Sequence, residues 1–415
     1  MKSGTLIVKS LRYIATLFVV SSFVGLHAQT DVLVTDTAAH DTAAVVLPWP
    51  RNIQARLDTL VMDPMLEATQ LGMYVYDLTA DSVLYTYGAK QTLRPASTMK
   101  LLTSITALDV LGGDYNYRTT LRYTGEVKDS VLIGDLYCVG GLDPLFDDVD
   151  MNAFVESVKG LGVKTVRGKL YADNSFKEPE LLGEGWCWDD DNPHLAPLLV
   201  SRKDDFISQF KDRMIKAGLV VEGDSASGTP PKDALTLSSR IHSLREVLVP
   251  MMKESDNLYA ESMFYQVAAS MGVRPAKASH GKQLIKKVLG KAGVTGVQYK
   301  IADGSGLSLY NYVTPELLAK LLIYAYRHTK INVDLFPSLP IAGQDGTLKK
   351  RMVKSVANGR VRAKTGTVTG VSSLAGYASL PNGHQLVFAI INQGIMKSAD
   401  GRGFQDRVCT ALCEP

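Results

Sequence analysis

The chain has 415 residues, 46% of them hydrophobic and 21% charged, enough to bury more than one core and to suggest roughly two or three domains. Its formal charge of +3 resides in residues 1–28, which hold Lys2, Lys9 and Arg12 and no acid; the remainder carries 42 basic and 42 acidic side chains. So even a balance gives no electrostatic reason to expect nucleic-acid binding.

In chain order, the first feature is a secretory signal at 1–28: the basic start precedes an apolar run from Tyr13 to Gly25, and Ala28 is a small residue placed for cleavage before Gln29. The run is short for a bilayer span, so export to the periplasm is expected over an uncleaved anchor. Residues 29–50, mostly Thr, Asp, Ala and Val, read as a flexible linker. From Gly72 the pattern turns to strand, with Met73 and Val75, then Val83 and Tyr85, on either side of a polar turn at Asp77–Asp81. Ser97 to Leu111 is apolar at helical spacing and ends at Gly112-Gly113.

A middle region, 117–231, mixes short strands, glycines and acidic turns and reads as an insertion into a body formed by 51–116 and 232–415. Phe206, Phe210 and Met214 mark a helix closed by Gly218; Leu244, Val247, Leu248 and Met251 mark the next, and Leu258 to Met271 another. Thr314-Pro315-Glu316 is a cap with proline at the first helical position, opening a helix through Tyr326. Ser372–Leu380 and Gln385–Asn392 flank Pro381-Asn382-Gly383, a hairpin signal, and strands from the two ends of such a chain commonly share one antiparallel sheet. Cys138, Cys187, Cys409 and Cys413 leave pairing and free thiols both open. No histidine clusters with them, and no histidines show ligand spacing, so neither a metal nor another cofactor is expected.

Three short motifs follow one another: Ser97-Thr-Met-Lys100, Ser255-Asp-Asn257 and Lys364-Thr-Gly-Thr367. Singly each has a plain structural alternative: a helix start with a solvated lysine, a helix cap, and an edge-strand lysine that discourages aggregation. Together they fit one chemistry. Serine needs an adjacent base to attack a carbonyl, and Lys100, three residues on, lies on the same helical face. Lysine acts as a base only when neutral, which burial and a second cation such as Lys364 both favour. Ser255 can relay a proton and Asn257 can hold a peptide bond. Gly366 lets the strand backbone approach a substrate, and Lys364 with the threonine hydroxyls suits a terminal carboxylate.

S-x-x-K, S-D-N and K-T-G in this order are the signature of class A β-lactamases and penicillin-binding proteins. Longer stretches resemble the D-alanyl-D-alanine carboxypeptidase/endopeptidase family of the penicillin-binding protein 4 type (low-molecular-mass class C). They are Arg94-Pro-Ala-Ser-Thr-Met-Lys100, Gly140-Gly-Leu-Asp-Pro144, Ser255-Asp-Asn-Leu-Tyr-Ala-Glu261 and Asp303-Gly-Ser-Gly-Leu-Ser308, then Leu339–Thr347, Ala363–Thr367 and Gly370–Tyr377. The resemblance implies an α/β (α+β) transpeptidase-like fold with an antiparallel sheet flanked by helices and an inserted smaller domain, here shortened relative to the family. It implies Ser97 as acylated nucleophile, Lys100 as general base and Ser255 as proton relay. Asn257, Lys364, Thr365, Gly366 and Thr367 become the substrate-binding set, with the Ser97 and Thr367 backbone N–H groups as oxyanion hole. Asp143 stands in the glycine-rich loop of the insert, either as a substrate contact or as a plain turn residue. The implied partners are peptidoglycan stem peptides and, as covalent inhibitors, β-lactams; a peripheral membrane contact or a homodimer stays open.

Two rivals remain at this stage. Glu178-Pro-Glu-Leu-Leu182 resembles the acidic loop with which class A β-lactamases hydrolyse their acyl-enzyme, but it precedes Ser255 and has Leu182 where asparagine belongs, so it reads as a chance match. A non-catalytic wall-binding protein of the same fold would have no use for a lysine one turn from a serine. Trp186 and Trp188, beside the acidic run 189–191, read as packed aromatics followed by a solvated turn in preference to a metal or sugar site, His242 as structural, and Asp303–Gly306 as a tight turn near the site.

Overall fold

The computed structural model describes residues 47–189 and 192–415. The signal segment and the linker as far as residue 46 lie outside the described residues. Helix α1 (Arg51–Leu60) buries Ile53 and Leu57, four residues apart on one face. Strands β1 (Gln70–Asp77) and β2 (Ser82–Tyr87) pair antiparallel across the polar turn. A 3-10 turn, Ala96–Met99, runs into α2 (Lys100–Val110), which is buried from Lys100 to Leu108 and so has no solvent face over most of its length.

The middle region follows as β3 (Asn116–Tyr123), β4 (Glu126–Lys128), β5 (Val131–Ile133) and β6 (Leu136–Val139), then α3 (Asp148–Gly160), β7 (Thr165–Arg167) and β8 (Leu170–Asp173). It continues through α4 (Phe206–Lys216), β9 (Val220–Val221), β10 (Ser225–Ser227) and β11 (Leu235–Ser243). Helices α5 (Leu244–Lys253), α6 (Asn257–Ala269), α7 (Ala278–Lys291), α8 (Pro315–Arg327) and α9 (Thr329–Ser338) come next. Strands β12 (Val361–Val368), β13 (Val371–Ser379) and β14 (Gln385–Gln393) precede the last helix, α10 (Ser398–Cys413).

The first sheet has the order β12-β13-β14-β1-β2, antiparallel throughout, so the two ends of the described chain do share one sheet. Its centre is covered on both faces. In β14, Val387, Ala389 and Ile391 join the core formed with α2 and α5–α9, while Leu386, Phe388 and Ile390 join the core formed with α1 and α10. The strand reads as an unbroken apolar run because each alternate residue has its own core to enter. The hairpin turns at Pro381–Gly383, with Gly383 at φ 87°. The Thr314 hydroxyl caps α8, accepting from the Leu317 N–H at 3.1 Å.

Residues 116–243 build two further sheets, ordered β10-β8-β6-β3-β11 and β4-β5-β7-β9, around a third core where Phe146, Phe154, Phe206 and Phe210 meet. Strand β11 leads directly into α5, whose Ser243–Glu246 capping box satisfies the free N–H groups at the helix start. Cys138, Cys409 and Cys413 are buried free thiols. Among the described residues no helix is long and apolar enough to cross a membrane.

Candidate active site

The site forms where the start of α2, the break between α5 and α6, and β12 converge. Ala96, at φ 46°, opens the 3-10 turn and Ser97 follows it half-buried, while Lys100 has no exposed surface. Lys100 Nζ lies 3.1 Å from Ser97 Oγ, 2.8 Å from Asn257 Oδ1 and 2.8 Å from the Ser305 carbonyl oxygen, which matches the three donors of an ammonium group. Burial pushes its pKa down to about 8, against the carboxylates of Asp303 and Glu261, which favour the charged form.

Ser255 also holds positive φ, at 64°, a strained conformation for a residue with a side chain. The three residues of its motif divide their work. Asp256 caps α6, accepting from the Tyr259 N–H at 3.3 Å, and pairs with Arg202 at 2.7 Å. Asn257 turns to Lys100, and the Ser255 hydroxyl accepts from Lys364 Nζ at 2.8 Å. The plain reading of this motif as a helix cap therefore holds for its middle residue alone. Lys364 is fully buried in β12, and burial first, then the charge of Lys100, lowers its pKa well below the ordinary value.

Strand β12 lies against the Ser97 turn. A Cβ placed on Gly366 would sit 2.9 Å from the Ser97 nitrogen, 2.8 Å from the Pro95 carbonyl oxygen and against Ser373 Oγ, so only glycine fits between strand and turn. Thr365 Oγ1 lies 2.8 Å from Thr347 Oγ1, and Thr367 is exposed beyond it.

One support had no role assigned to it from the sequence. Glu261, one helical turn after Asn257 and 1% exposed, accepts from the Gly304 and Ser305 N–H groups; burial, then Asp303, pushes its pKa up to about 8. It thereby aims the Ser305 carbonyl at Lys100. Asp303 holds the same turn through the Gly306, Ser308 and Asn311 N–H donors and Trp186 Nε1 at 2.8 Å, as expected of a tight turn near the site. Trp186 is thus packed, but Trp188 is 84% exposed, contrary to its reading as a packed aromatic.

Asp143 lies elsewhere. Its buried carboxylate accepts from the Leu145 N–H at 3.0 Å and meets His242 Nδ1 at 2.7 Å, at the junction of the glycine-rich loop with β11. Glu178 is occupied by the Tyr265 hydroxyl at 2.9 Å and the Ala278 N–H at 2.7 Å. Tyr265 is eight residues from Asn257 along α6, a helical rise of about 12 Å, so this carboxylate serves the start of α7 and not the serine.

A D-alanyl-D-alanine carboxypeptidase of Actinomadura sp. (strain R39) is 29% identical over 88% of this chain and 85% of its own length. The crystal structure of penicillin binding protein 4 (dacB) from Haemophilus influenzae shares the fold, with a TM-score of 0.80 at 23% identity over 86% of this chain and 99% of that one. A crystal structure of the same protein complexed with a novel beta-lactam gives 0.74 at 24% identity over 87% of this chain and 100% of that one. The family model of the D-Ala-D-Ala carboxypeptidase 3 (S13) family matches residues 53–202 and 199–412. On that match the chain belongs to the D-Ala-D-Ala carboxypeptidase 3 (S13) family, peptide hydrolases of the penicillin-binding protein 4 type.

Proposed function

We propose that the chain is an exported, periplasmic serine D-alanyl-D-alanine carboxypeptidase and endopeptidase that cleaves peptidoglycan stem peptides through an acyl-enzyme on Ser97. The observation that carries this reading is a fully buried lysine bonded to a half-buried serine, beside a second buried lysine bonded to Ser255. Neutral Lys100 takes the Ser97 proton as Oγ bonds to the penultimate D-alanine carbonyl carbon. The oxyanion is held by the Ser97 and Thr367 backbone N–H groups. As the C–N bond breaks, the proton passes from Lys100 through Ser255 to the departing amine. Water then attacks the ester carbon, losing its proton to Lys100, which passes it to Ser97 Oγ as the ester C–O bond breaks and the shortened peptide leaves as a carboxylate.

Substrate itself helps to prepare the base. A terminal carboxylate at Thr365 favours the charged form of Lys364, and that charge disfavours a proton on Lys100. Asn257 holds the substrate amide, and Gly366 admits the peptide to the strand. Asp143 contributes through the loop that it ties to His242. A β-lactam places its strained amide where the peptide bond lies, in keeping with the beta-lactam complex of the relative. With Glu178 committed to α7, no carboxylate base serves the adduct, which is therefore long-lived.

The test is D-alanine release from a stem pentapeptide, alongside cleavage of a cross-linked dimer, across pH. Lys100 works as the neutral base, so its working fraction rises toward about pH 8 and saturates above it. Glu261 loses its proton in the same range and then favours charged Lys100, so the rise is shallower than tenfold per unit. A rate that is flat or falling between pH 6 and 8 contradicts a lysine base. Dimer cleavage without D-alanine release would leave only the endopeptidase.

A further inference from the structure

A second cationic surface lies apart from the two lysines. Arg118 and Arg122 stand four residues apart in β3 and therefore share one face of the strand. With Arg274 they line a cleft of about 430 Å³ that includes no acidic residue. Nine of the fourteen other arginines among the described residues form carboxylate ion pairs, and none of these three does. The Arg122 guanidinium is anchored by donating to the Ala234 carbonyl, and its Nε is buried with no partner. Arg274 lies over the Phe176 ring, 6.0 Å from the centroid. The neutral wall is fixed as well: the Tyr115 hydroxyl donates to Gln266 Oε1 at 2.8 Å, and the Gln266 amide donates to the Gly141 carbonyl at 2.6 Å.

Three guanidiniums cannot shed their charge, and they offer planar forks of donors that match carboxylates two at a time. A cleft of this size exceeds what one small anion fills, since a water claims about 30 Å³ of liquid volume. Gln266 is nine residues beyond Asn257 on α6, about 13 Å along the helix, so the cleft and the Asn257 corner of the candidate active site lie apart on that helix. From these features we infer that the cleft is a non-catalytic site for a carboxylate-bearing peptide. Resting on the proposed function, its occupant is the acidic part of a peptidoglycan stem peptide.

The probe is N-terminally labelled alanyl-γ-glutamate, which carries two carboxylates and no D-alanyl-D-alanine, titrated by fluorescence anisotropy into the full chain with and without prior penicillin treatment. Binding is expected in both cases. The double variant Arg118→Gln/Arg274→Gln, at two exposed positions, is expected to weaken it about tenfold or more, as for loss of charge-assisted bonds, while the rate of penicillin labelling stays unchanged. Undiminished binding to the double variant, or equal binding of the uncharged diamide, overturns the assignment. So does competition by inorganic phosphate at concentrations equal to the peptide's, which marks the cleft as a small-anion site. Failure of penicillin to label the wild type counts against the acyl-enzyme on Ser97, and the response of peptide binding to the arginine pair still judges the cleft.

Discussion

Lys100→Met is expected to slow acylation by penicillin about 10³-fold, the middle of the range for loss of a positioned general base. Methionine keeps most of the volume inside α2 and removes only the amine, so the Ser97 and Thr367 backbone groups stay where they are. Among the described residues the amine is the one basic group bonded to Ser97 Oγ, with no histidine or carboxylate bonded there. The pH dependence should change with the rate. The variant lacks the amine that titrates toward about pH 8, so the residual rate should lack that rise, while Lys364 stays lowered by burial, the larger of its two causes. Stopped-flow acylation at several pH values checks both effects, and a loss of only two- or threefold would reduce Lys100 to a packing role.

Gly366→Ala is the second large effect, expected to lower acylation by about 100-fold or more. The added methyl meets the Ser97 nitrogen, the Pro95 carbonyl and Ser373 Oγ, so β12 or the nucleophile turn must shift by a sizeable fraction of an ångström. A displacement of about 1 Å at the reacting atoms is enough for a loss of this size. Stability should fall too, by about 1–3 kcal/mol, as for other overpacked positions. Gly290→Ala is the control. In α7 its Cβ meets nothing within 4 Å, so alanine should leave acylation unchanged and raise stability by up to about 1 kcal/mol through helix propensity. Equal acylation by the Gly366 and Gly290 variants would contradict the close approach of strand and serine.

Local signals account for what the sequence disclosed. The proline-containing cap of α8, the Pro381-Asn382-Gly383 turn and the apolar spacing of α4, α5 and α6 each rest on neighbouring residues, and each element stands where its pattern put it. The parallel pairings of β6 with β8 and β8 with β10 join strands of three or four residues, too short to show a period. At the site, the motifs named the side chains but not how they divide. Whether Ser255-Asp256-Asn257 caps a helix or serves chemistry depends on the positive φ of Ser255, a property that tertiary packing imposes. The third acceptor for Lys100 is a backbone carbonyl, which any residue at position 305 would supply, so its identity carried no signal. The clustering of Arg118, Arg122 and Arg274 was equally hidden, because it needs β3 and the segment after α6 to meet in space.

On the proposed function, catalysis passes through a covalent intermediate on Ser97. Its most direct test is mass spectrometry of the chain after brief exposure to penicillin, with peptide mapping of the adduct. The expected result is one penicilloyl group on the peptide containing Ser97, persisting long after free penicillin is removed, and no adduct on Ser97→Ala. An adduct on another residue, equal labelling of the alanine variant, or rapid hydrolysis of the penicillin by the wild type would contradict it.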